Sequence, residues 1–256
     1  VTRREPGINV DTTHLRNLAG RRLRLQSSYE PKLRALVETR SVQLGFDESE
    51  RAAALRSIDA LVWKITAAGI HLERLWENRE SFDVQQLMIK ALRGDPEPKR
   101  FADEETAFLC AEFEAFVLQA RAFISVAQVH TLDACRVPFG GHLTTKEFEK
   151  AVSVAPEDVS KRLTKARDYF AAEVFGQGKW GSLLRSLRDR TVHLNRIRPT
   201  KAVSNEGSEE LTVAGLSLDW LAQGFENGVY DLLVEVIAPI WGRDWQAGPY
   251  HPGMWE

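Results

Sequence analysis

Residues 104–134, EETAFLCAEFEAFVLQARAFISVAQVHTLDA, decide the fold. Phe108, Leu109, Phe113, Phe116, Val117, Ala120, Phe123, Ile124 and Ala127 recur at intervals of three and four, the repeat of a helix face. The apolar stripe is wide, which suits a helix buried among several others rather than one lying on a surface. Glu112, Glu114 and Arg121 interrupt it; Glu114 and Arg121 fit either pairing with polar groups near residues 180–199 or a surface position, and the surface position is preferred. His130, near its end, has no partner pattern around it.

Upstream, the same period runs from Glu48 to about Asn78 through Leu55, Ile58, Leu61, Val62, Ile65, Ile70, Leu72 and Leu75. Asp47 with Glu50 three residues later has the form of a reciprocal N-terminal cap. Trp63 and Trp76 are expected to pack, and His71 to be a structural histidine. Ser81 to Leu92 reads as a separate, shorter helix. Gly94-Asp95-Pro96-Glu97-Pro98 is the clearest break, and divides an N-terminal helical region, 1–96, from the body, 97–256, on which it packs. Before it, Thr12 to Leu44 reads as broken helix, with Pro31 opening its second part. The dense arginines there fit either a nucleic-acid arm or the wet face of an amphipathic helix, and the second reading is preferred.

Downstream, Thr144 or Thr145 caps a short helix, and Pro156 to Phe175 forms a longer one. Gly176-Gln177-Gly178 leads into a helix from Trp180 to Arg198, stopped by Pro199. Thr200–Val203 and Glu210–Val213 flank a polar, glycine-containing turn and read as a hairpin. A last long helix spans Ser217 to Trp241, before a tail carrying Trp245, Tyr250 and Trp255. The expected fold is all-α: a helical bundle with extra N-terminal helices and a small β-hairpin before the last long helix.

Composition excludes several classes. With 43% hydrophobic and 27% charged residues in 256, the chain is globular. A net charge of -2 provides no global basic field, so any nucleic-acid contact must be local. Cys110 and Cys135 are too few for a disulfide framework and read as buried thiols in a reducing compartment. No run is long and apolar enough to span a bilayer, and VTRREPGINV has no signal-peptide core, so a cytoplasmic protein is expected. There is no P-loop pattern, and no His/Cys/Asp/Glu spacing suits zinc, so no cofactor and no metal are expected.

The chemistry concentrates in residues 180–199, WGSLLRSLRDRTVHLNRIRP. His193 exchanges protons near neutral pH. Arg188 presents a planar fork suited to phosphate. Asp189 precedes His193 by one helical turn, where a carboxylate can orient an imidazole. A proton carrier, a phosphate-binding cation and an orienting acid suit phosphodiester cleavage. Arg188 and His193 are about 140° apart around an ideal helix, so a helix end or a second copy must help them converge. Arg185, Arg190, Arg196 and Arg198 extend the cationic surface. They fit an RNA-binding patch and a solvated helix face equally.

Arg188-Asp189-x-x-x-His193 resembles the R-x4-H motif of the HEPN superfamily, and Glu104–Ala134 is similar to the helix preceding that motif in uncharacterised bacterial members. The resemblance covers roughly Glu104 to Trp241. It implies a HEPN-type bundle, a homodimer that brings two motifs to a two-fold axis, and metal-independent endoribonuclease activity. His193 would then be general acid or base, Arg188 would hold the scissile phosphate and Asp189 would orient His193. It further implies a toxin or antiviral defence effector, with an antitoxin or regulatory partner. The alternatives are a non-catalytic module that binds nucleotide or RNA, and a structural dimerisation protein.

Overall fold

A computed structural model describes residues 30–91, 99–137, 145–192, 199–203, 209–213 and 216–242. The architecture is all-α with one small β-ribbon. Helix α1 spans Glu30–Gln43, α2 Glu48–Ala91, α3 Lys99–Ala134, α4 Thr145–Ser153, α5 Glu157–Tyr169 and α6 Trp180–Val192. Strands β1 (Pro199–Val203), β2 (Glu209–Val213) and β3 (Leu216–Ser217) follow, then α7 (Leu218–Leu232) and α8 (Ala238–Ile240). A π-helical turn, Phe170–Val174, extends α5, and another, Leu233–Ile237, joins α7 to α8.

The long helices α2 and α3 run antiparallel, as Ser57 opposite His130, Lys64 opposite Gln119 and His71 opposite Glu112 require. Their apolar faces meet in one core that also takes in Leu33 and Val37 of α1, Leu163 of α5, Leu184 and Leu187 of α6, and Phe225 of α7. Residues from both sides of position 96 therefore share one buried cluster. Asp47 and Glu50 form the reciprocal cap: Glu50 N–H donates to Asp47 Oδ1 at 2.8 Å and Asp47 N–H to Glu50 Oε2 at 2.9 Å. The hairpin is antiparallel, with Thr200 paired to Thr212 and Ala202 to Glu210. The two-residue strand β3 adds to it through Val213 and Leu216, an addition too short to carry a sequence period.

Two expectations for α2 fail, and Phe108 of the α3 stripe is 43% exposed. Ser81–Leu92 is not a separate helix, because α2 continues unbroken to Ala91. No proline or glycine lies between Gly69 and Gly94, so nothing in the chain forces a stop at residues 79–80. Trp63 does not pack: it is 63% exposed on α2. Cys135 is buried and Cys110 only partly so. The stretches 1–29 and 243–256, with the arginine-dense N-terminal segment and the aromatic tail, lie outside the described residues, as does the Trp76 side chain.

Candidate functional site

The motif helix is set in place at its N-terminus. Trp180 stacks near Phe123 of α3, with ring centroids 6.3 Å apart. Its indole lies directly on Gly228 of α7, where any Cβ would overlap the ring. Gly181 is equally close to Val174 of the first π-helical turn and approaches Ile124 of α3. Leu184 and Leu187 then face the core, and the flank of α6 beside them carries Arg185 and Arg188, both exposed. The helix period thus separates the buried leucines from the arginines.

Arg188 donates from a terminal guanidinium nitrogen to Asp189 Oδ1 at 3.0 Å, and both side chains are about half exposed. The acid expected to orient His193 is thus in contact with the arginine beside it. Arg185 lies over the Phe175 ring, its guanidinium carbon 5.2 Å from the centroid. Arg121 of α3 lies over the same ring at 5.4 Å and donates to Ser125 Oγ at 2.9 Å. The sequence places Arg121 at the surface, but it is half-buried where α3 meets α6. Burial lowers its pKa, with Arg185 and Arg188 adding to the effect and Asp189 opposing it. Its one sequence signal is a cation interrupting the apolar stripe of α3, and it is the less favoured reading, contact with polar groups near the motif helix, that the structure bears out.

His193, Arg196 and Arg198 lie outside the described residues, and the Arg190 side chain does too. The structure therefore brings together Arg185, Arg188 and Asp189, and adds Arg121.

A second polar group is buried. His130 and Trp241 are fully buried, and the indole Nε1–H donates to His130 Nε2 at 3.0 Å. An indole nitrogen only donates, so Nε2 is an acceptor and the imidazole proton sits on Nδ1. Nδ1–H then donates to Ser57 Oγ at 2.9 Å. The Ser57 hydroxyl proton is left for the Ala54 carbonyl, 3.0 Å away, or the Asp133 carboxyl. Ser57, His130 and Asp133 thus contain the residue types of a hydrolase triad with the wrong proton direction: the histidine donates to the serine and takes no proton from it. Burial pushes the His130 pKa down to about 3. His71, read as structural, has its Nδ1 2.7 Å from buried Glu112.

Among the described residues, no group of three or more His, Cys, Asp or Glu is placed to hold a metal ion, and no helix is long and apolar enough to cross a membrane. Comparison with family models, curated proteins and solved structures gave no match.

Proposed function

We propose that this protein is a metal-independent endoribonuclease of HEPN type. The observation that carries the proposal is the solvent-reachable flank of α6, where Arg185, Arg188 and Asp189 lie within one helical turn on a helix anchored in the core. His193 follows the last described helical residue, Val192, in the chain. In the proposed reaction the RNA 2′-hydroxyl attacks the adjacent phosphorus and expels the 5′-oxygen. His193 moves the proton, a role worth about 10²–10⁴-fold in rate. Arg188 binds the phosphate and stabilises its developing charge. Asp189 steadies the motif, and Arg190, Arg196 and Arg198 extend the phosphate-binding surface. A homodimer brings two motifs together, since one straight helix does not converge Arg188 and His193. A cytoplasmic toxin or defence effector held by an antitoxin or regulatory partner fits this activity.

The test is incubation with mixed RNA in EDTA, with parent and His193→Ala purified identically. Cleavage by the parent alone, leaving 2′,3′-cyclic phosphate ends, is expected. Equal cleavage by both proteins refutes the assignment. The Arg188–Asp189 pair favours a second reading, RNA binding without turnover, because the acid is engaged by the arginine. Tight RNA binding with no cleavage by the parent would select it.

A further inference from the structure

Arg121 has no place in the motif, yet it shares the Phe175 ring with Arg185. Arg188 adds to the positive field felt by Arg121, so like charge from two helices gathers beside one aromatic ring that holds Arg121 and Arg185. Asp189 offsets part of that charge and is itself engaged by Arg188. Phe175 holds two of the cations through its π-system and carries no formal charge of its own. Like charges gathered from two different helices are relieved by a polyanion, and guanidinium forks match phosphate oxygens.

We propose that Arg121 joins Arg185 and Arg188 in a three-guanidinium site, walled by Phe175, for adjacent phosphates of an RNA strand. This rests on the RNA reading above but adds a residue from α3, outside the motif helix. Phe175 is a positioning residue that holds Arg121 and Arg185 together. The shared chemistry is closely spaced phosphate, so a free oligophosphate is the competing source.

The experiment measures binding of a fluorescent single-stranded RNA, made non-cleavable by 2′-deoxy substitution, across a salt series. Inorganic tripolyphosphate is measured in parallel by calorimetry. Loss of one phosphate contact on a single strand should lower the salt slope by about 0.7, equivalent to roughly fivefold weaker binding at 0.1 M salt. Arg121→Gln should show this loss, and Arg121→Lys should recover the slope because it keeps the charge. Phe175→Leu should weaken binding while keeping the slope. Melting curves verify that each variant folds. RNA binding by Arg121→Gln with the parent's affinity and slope would overturn the site and leave the ribonuclease reading standing. Arg121-dependent binding of tripolyphosphate without RNA binding would overturn the RNA assignment and leave a site for free oligophosphate. A parent that binds neither ligand overturns the site outright.

Discussion

Replacing His130 by glutamine should flatten the acid dependence of stability. In the fold the imidazole is neutral, with Nε2 occupied by the Trp241 indole and Nδ1–H by Ser57, and burial holds its pKa at about 3 against 6.5 for an ordinary histidine. Between these values the unfolded chain binds a proton that the folded chain refuses. Stability is therefore lost as pH falls below 6.5, at about 1.4 kcal/mol per pH unit. From pH 7 to pH 5 this amounts to about 2 kcal/mol from one residue. Asp133 acts in the opposite sense: its pKa is raised by burial, so its contribution is present at low pH and lost as pH rises through the folded value. Its opposite sense means that Asp133 cannot produce a loss of stability on acidification. His130→Gln keeps an acceptor within reach of the indole but leaves Ser57 without its donor, a cost of about 1–3 kcal/mol at pH 7. Urea unfolding at pH 7 and pH 5 reads the difference directly. The parent should lose about 2 kcal/mol more than the variant over that interval. An identical pH dependence in the two proteins would refute the neutral, buried assignment. So would a His130 resonance of the folded protein, identified by its loss in His130→Gln, titrating near the ordinary value.

Gly228→Ala should push Trp180 out of its seat and tilt α6, at a cost of about 1–3 kcal/mol in urea unfolding. A variant as stable as the parent would show that the indole does not rest there. Arg40 Nε donates to the Trp241 carbonyl at 2.6 Å and Arg162 to the Ile240 carbonyl at 2.8 Å, so each arginine satisfies a carbonyl at the end of α8. Arg162→Ala should lower stability by about 1–2 kcal/mol, and hydrogen exchange should quicken at residues 233–241 before the rest of the core. Arg188→Lys should weaken RNA binding or cleavage several-fold without changing the melting temperature, because the charge persists while the fork is lost. Light scattering at micromolar concentration should give twice the 28.9 kDa chain mass; a single-chain mass would remove the proposed dimer.

Local rules of the chain determined much of this protein. The three- and four-residue repeat of α3 marks its buried face, because helix geometry alone puts Phe113, Phe116, Ala120 and Phe123 on one side. The Asp47–Glu50 cap and the hairpin at 199–213 also needed only residues nearby in the chain. The site divided differently. Arg188, Asp189 and Arg185 were legible as polar positions on an amphipathic helix, and their exposure follows from the same period. Only tertiary structure decided the rest, since it depended on residues far apart in sequence. His130 had no local pattern, and its partners Ser57 and Trp241 are 73 and 111 residues away. Arg121 became part of a cationic cluster because α3 packs against α6 and both Arg121 and Arg185 meet Phe175. A sequence period tells which face of a helix is apolar; which distant side chain meets an exception on that face is set by how the helices pack.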